Sequence, residues 1–113
     1  MGHNDPVTSL TVLSNSRLVS GSRDNTIKIW DMTSYQCVTT LAGHNGWVTS
    51  LTIFNDRIIS GSIDQTIKIW DVKSYQCVAT LKGHTSSIES LTKLDDGRLV
   101  SGSWDKTIKI WAF

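Results

Sequence analysis

Gly21-Ser-Arg-Asp-Asn-Thr-Ile-Lys-Ile-Trp30, Gly61-Ser-Ile-Asp-Gln-Thr-Ile-Lys-Ile-Trp70 and Gly102-Ser-Trp-Asp-Lys-Thr-Ile-Lys-Ile-Trp111 are one segment written three times in 113 residues. The copies begin at positions 21, 61 and 102, spacings of 40 and 41 residues, so the chain is a repeat protein. A period of that length fits a small all-β unit and is too long for one turn of a leucine-rich solenoid.

The middle unit reads as four strands. Trp47-Val-Thr-Ser-Leu-Thr-Ile-Phe54 is rich in β-branched and aromatic residues, and Asn55-Asp56 follows as a two-residue hairpin signal. Arg57-Ile-Ile-Ser60 is the second strand, the Gly61-Ser-Ile-Asp64-Gln stretch a turn, and Thr66-Ile-Lys-Ile-Trp70 the third strand. After a loop at Val72-Lys-Ser74, Tyr75-Gln-Cys-Val-Ala-Thr-Leu81 is the fourth. Short connections force neighbouring strands to pair antiparallel, which makes each unit a meander.

The other two units differ mainly in their loops. Ser14-Asn-Ser16 and Asp95-Asp-Gly97 stand where the middle unit has Asn55-Asp56, and the extra residue accounts for the longer spacing. Ser34-Tyr-Gln-Cys-Val-Thr-Thr-Leu41 and Ser74-Tyr-Gln-Cys-Val-Ala-Thr-Leu81 differ at a single position, a mark of recent internal duplication. Apolar pairs (Leu18-Val19, Ile58-Ile59, Leu99-Val100) and the alternation of Ile with Lys or Trp predict sheets apolar on both faces, as stacking requires. One such face measures roughly 400 Å². Three stacked sheets leave two of them bare, more apolar surface than a monomer ordinarily exposes.

Composition narrows the class further. Hydrophobic residues make up 39% of the chain, and 11 Lys and Arg against 10 Asp and Glu leave a formal charge of +1. Bulk charge therefore gives no reason to expect a nucleic acid or acidic membrane as partner. No apolar run is long enough to span a bilayer, and Met-Gly-His-Asn-Asp-Pro lacks the character of a signal peptide, so a cytoplasmic location is the default. Cys37 and Cys77 occupy the same place in successive units and are expected to be buried thiols, unpaired with each other.

The recurrence of a Gly-His pair (Gly2-His3, Gly43-His44, Gly83-His84), three strands, a Gly-Ser-x-Asp turn and a strand ending in Trp, followed by Asp in the first two units, resembles the WD-repeat β-propeller family. The resemblance spans essentially the whole chain. It implies three four-stranded antiparallel propeller blades, at about residues 2–42, 43–82 and 83–113, forming a single three-blade unit. It also implies a hydrogen-bonded tetrad in each blade: His3, Ser20, Asp24 and Trp30; His44, Ser60, Asp64 and Trp70; His84, Ser101, Asp105 and Trp111. Buried imidazole, hydroxyl, carboxylate and indole N–H all need partners, and a closed network supplies them. A hydrolase triad is the alternative use of Ser, His and Asp. Threefold recurrence at fixed strand positions, without a nucleophile elbow, weighs against it.

Two departures from the family pattern matter. The third unit ends Trp111-Ala-Phe113, without the Asp and without a fourth strand, and no spare N-terminal strand replaces it, so eleven strands are expected where three blades need twelve. The family usually closes rings of six to eight blades, and three blades cannot close one. Ring closure by homo-oligomerisation follows as the expectation, a dimer giving six blades or a trimer nine, through a head-to-tail contact between near-identical faces.

Off-pattern residues are the candidates for a partner-binding rim. Trp47 stands where the other units have Pro6 and Ser87, and the position before the turn Asp holds Arg23, Ile63 and Trp104. Trp and Arg are hot-spot types at interfaces. Packing on neighbouring loops, or ring assembly, is the competing use of Trp47 and Trp104. Lys28, Lys68 and Lys109 are expected to lay their stems across a neighbouring blade. The sequence thus points to a non-catalytic scaffold that self-assembles into a propeller and binds an unknown peptide or protein on the ring face. No cofactor, metal, nucleic acid or membrane is implied. The alternative is a fragment or engineered piece of a longer propeller whose one activity is self-assembly.

Overall fold

The computed structural model describes residues 3–13 and 16–112. Gly2 of the first Gly-His pair, Ser14 and Asn15 of the first hairpin loop, and Phe113 lie outside the described residues. Eleven strands occur among them. The first sheet holds β1 (Val7–Leu13), β2 (Arg17–Ser22), β3 (Thr26–Asp31) and β4 (Gln36–Ala42), and the second holds β5 (Val48–Phe54), β6 (Arg57–Ser62), β7 (Thr66–Asp71) and β8 (Cys77–Lys82). The third has three strands, β9 (Ile88–Lys93), β10 (Leu99–Ser103) and β11 (Ile108–Trp111). Every pairing is antiparallel and between consecutive strands.

Local chemistry fixes the meander. Asn55 and Asp56 both take positive φ (49° and 57°), as the tight type I′ hairpin demands, and Asn and Asp tolerate that region better than other side-chain-bearing residues. The third unit solves the same turn with one more residue, placing Gly97 at φ 93° where the Gly97 N–H reaches the Leu94 carbonyl at 3.0 Å. Before β4, Asp31 accepts from the backbone of Thr33 at 2.8 Å through Oδ1 and from Tyr35 at 2.7 Å through its carbonyl, holding Tyr35 at φ 60°. Asp71 does the same for Lys73 and Tyr75. The Asp after Trp30 and the Asp after Trp70 therefore shape the approach to the fourth strand.

The three sheets stack in chain order, β1 against β5 and β5 against β9. Ile27 and Ile29 of the first sheet meet Ile58, Trp70 and Val48 of the second, and Ile67 and Ile69 of the second meet Ile88 and Leu99 of the third. Each sheet thus offers its third-strand isoleucines forward and its first-strand apolar residues backward. The contact is close at two glycines. A methyl on Gly21 would lie 2.5 Å from Val48 Cγ1, and one on Gly61 the same 2.5 Å from Ile88 Cγ2, so only glycine admits the next sheet.

Burial on both faces holds for the middle sheet alone. Ile67 and Ile69 are 0% and 3% exposed, whereas their equivalents Ile108 and Ile110 are 74% and 57% exposed. On the opposite end, Val7, Leu10 and Val12 are exposed where Val48 is fully buried. Trp70 is buried, but Trp30 and Trp111 are half-buried.

Two expectations are corrected. Cys37 and Cys77 are exposed, not buried. They lie on β4 and β8, edge strands paired on one side only, and their Sγ atoms turn along their own strands to the carbonyls of Thr39 and Ala79. Lys28 and Lys68 do not reach across to a neighbouring blade either. Their ammonium groups donate to Thr40 Oγ1 at 2.7 Å and Thr80 Oγ1 at 3.0 Å, on the fourth strands of their own sheets.

Candidate functional site: buried networks and a rim groove

Polar residues concentrate in two places, a network inside each blade and a groove across the loops. In the middle blade the network starts at the turn between β6 and β7, where Gln65 takes φ 73° and Asp64 N–H donates to Ser62 Oγ at 3.1 Å. That turn aims both carboxylate oxygens inward. Asp64 Oδ1 accepts from Thr66 N–H at 2.9 Å and Thr66 Oγ1 at 2.5 Å, and Oδ2 accepts from Asn45 N–H and His44 Nδ1, each at 2.9 Å. His44 Nε2 lies 2.7 Å from Ser60 Oγ, which also accepts the Trp70 indole N–H at 2.9 Å.

These bonds run in one direction. Ser60 accepts from Trp70, so its own proton goes to His44 Nε2, and the imidazole keeps Nδ1–H for Asp64. Every member is satisfied only with His44 neutral. Burial accordingly lowers the His44 pKa, against the opposing pull of the Asp64 carboxylate. Burial pushes Asp64 up, but the Thr66 hydroxyl, the Asn45 N–H and His44 together outweigh it and hold the carboxyl below its ordinary range.

The first blade brings His3 Nδ1 to 3.0 Å from Asp24, His3 Nε2 to 2.7 Å from Ser20 and Trp30 Nε1 to 2.9 Å from Ser20. In the third, His84 is 2.7 Å from both Asp105 and Ser101, and Trp111 is 2.8 Å from Ser101. The sequence reading missed the fifth member. Thr26, Thr66 and Thr107 each donate to the Asp two positions earlier, and the signal was present as the invariant Thr of the repeated segment. Chemically the networks are closed on themselves: Ser60 and Ser101 expose no surface and their Oγ atoms accept an indole proton.

The off-pattern residues Arg23, Trp47, Ile63 and Trp104 line one groove of about 490 Å³, together with Ser87 and Glu89. Backbone bonds of 3.0 Å fix each inside its own blade, Arg23 N–H to Pro6, Ile63 N–H to Trp47 and Trp104 N–H to Ser87. Between blades, the Arg23 guanidinium lies 4.2 Å above the Trp47 ring, a cation–π stack that spans the first junction. Ile63 packs over Gly46, and Trp104 is 71% exposed.

Three-to-four-stranded antiparallel meanders of some 40 residues, stacked face to face around buried His, Ser, Asp and Trp, define consecutive blades of a β-propeller of the WD-repeat type. The profile of the WD domain, G-beta repeat family matches residues 1–31, 35–71 and 75–112, and the chain belongs to that family. Each of the later matched segments begins just before the fourth strand of one sheet and runs through the third strand of the next.

Similar solved and curated proteins agree. The crystal structure of the WD40 β-propeller domain of Doa1 superposes with a TM-score of 0.92 at 28% identity, covering 99% of this chain and 40% of that one. F-box/WD repeat-containing protein 7 of Drosophila melanogaster is 47% identical over 49 residues, 43% of this chain and 4% of the relative. Ribosome assembly protein 4 of Chaetomium thermophilum is 45% identical over 53 residues, 45% of this chain and 10% of the relative. The chain thus spans a tenth or less of the curated relatives it matches. Among the described residues, no helix is long and apolar enough to cross a membrane.

Proposed function

We propose that this chain is a non-catalytic protein-interaction scaffold whose copies assemble head to tail into a closed propeller, two giving six blades or three giving nine. The observation that carries the reading is the contrast between equivalent residues. Ile67 and Ile69 vanish beneath the third sheet while Ile108 and Ile110 stand at 74% and 57% exposure, with a matching bare apolar face on β1. What covers the one kind of face inside the chain is a near-copy of what the other end offers.

The groove of Arg23, Trp47, Ile63 and Trp104 is the proposed partner-binding rim, suited to an extended peptide or a protein loop in a cytoplasmic setting, and the tetrads serve structure. Light scattering of the purified chain tests assembly: a mass of two or three times 12.5 kDa is expected. A cooperative melt at 12.5 kDa at all concentrations overturns it. For the rim, Arg23→Ala with Trp47→Ala is expected to abolish binding of peptides selected on the wild type while leaving the mass unchanged. Coverage of only 40% of the Doa1 domain favours a second reading, in which this chain is a segment of a longer propeller.

A further inference from the structure

We infer that the junction between copies repeats the pattern of the internal junctions, held by three contacts: Val7 of the next copy on Gly102, as at both internal junctions, and Trp104 on Pro6 and Arg98 on Tyr35 of the next copy, as at the first. This rests on the ring-closure reading and specifies its interface. The occupant of the bare third sheet is a second copy of this chain because the two internal junctions show what that face is shaped to receive.

The repeat register supplies the pairs. Gly21 seats Val48 of the next blade and Gly61 seats Ile88, each so closely that a methyl would come within 2.5 Å. Gly102 is the third of the series, and on it a methyl would meet nothing closer than Ser90 Oγ at 3.0 Å. The residue equivalent to Val48 and Ile88 that has no glycine beneath it is Val7, half exposed. Likewise Arg17 Nη1 donates to the Tyr75 hydroxyl across the first junction at 2.6 Å. The third-blade equivalent of Arg17 is Arg98, which meanwhile folds back on Asp96 at 2.7 Å, and the first-blade equivalent of Tyr75 is Tyr35, 73% exposed. On the rim, Arg23 crosses to Trp47 of the next blade, and the same step from Trp104 leads to exposed Pro6.

An indole face on a pyrrolidine ring is an apolar contact that removes two exposed surfaces at once. Trp104 then closes the junction end of the rim groove that it lines with Arg23, Trp47 and Ile63.

Gly102→Ala tests the assignment directly, since in the isolated chain the methyl meets only the exposed Ser90 hydroxyl at 3.0 Å, a short side chain with solvent to turn into, whereas at the junction it meets the side chain seated on the glycine. Sedimentation equilibrium is expected to show the variant as a monomer, with the wild-type circular dichroism spectrum retained. Trp104→Ala and Tyr35→Phe, which create no clash, are each expected to raise the dissociation midpoint by about tenfold. If the wild type is monomeric at every concentration, ring closure itself fails. If the wild type assembles and all three variants assemble with its midpoint, closure stands and this interface is overturned.

Discussion

Gly61 and Ile88 meet across the boundary of the second and third sheets at a distance that excludes any side chain, a methyl on Gly61 standing 2.5 Å from Ile88 Cγ2 and 2.7 Å from Ser50 Oγ. Both neighbours are buried, so neither swings away. Gly61→Ala is expected to destabilise the chain by about 1–3 kcal/mol through overpacking. Urea denaturation checks it, and an unchanged midpoint would mean the sheets slide apart at little cost.

Asp64 takes four hydrogen bonds, from Thr66 twice, Asn45 and His44. Asp64→Ala strands those donors, with an expected loss of about 1–3 kcal/mol. Thermal melting of the variant measures the loss, and a melt that matches wild type would assign the network no part in stability.

Acid should weaken the fold in two stages. His44 has a pKa below its ordinary 6.5 in the native state, so the unfolded chain binds that proton more readily, and stability falls as pH drops below about 6.5. Asp64, Asp24 and Asp105 are held below the ordinary 3.8, so the stability they contribute is complete above that value and is lost as pH falls through their native pKa values. Denaturation midpoints between pH 7.5 and 3 should decline first gently and then steeply; a flat profile through pH 6 removes the His44 contribution.

Thr8 and Thr49 each donate a hydroxyl to the carbonyl of the residue ahead in the next blade, Val48 and Ile88 respectively. The third unit has Glu89 in that place, an acceptor facing what would be the Val7 carbonyl of a second copy. Glu89→Thr restores the missing donor and is expected to tighten assembly by about 1 kcal/mol per junction, roughly fivefold in dissociation constant. Dilution followed by light scattering reads the change, and weaker assembly would show that Glu89 itself makes a favourable contact there.

Much of this was legible in the sequence because the strands carry period-two apolar patterns and the turns carry their own chemistry, as Asn55-Asp56 shows. The tetrad residues were legible from a resemblance, whereas the Thr that completes each network was overlooked although it never varies. Cys37 and Cys77 misled because Tyr-Gln-Cys-Val reads as a core strand. As the last strand of a meander it is an edge, and the facing of its Cys depends on the register shifts at Ile29/Trp30 and Ile69/Trp70, which a local pattern does not encode. Lys28 and Lys68 were misjudged for the same reason, since their Thr partners lie twelve residues on, across a pairing not fixed by the local run.

Because each sheet touches only its neighbours, the stack behaves as a one-dimensional lattice whose terminal members are held from one side. In a single copy, amide exchange should be slowest in β6 and β7 and quickest in β11, as expected where opening begins at the ends. Joined into a circle, the lattice has no end from which to fray, and protection would even out around the circumference.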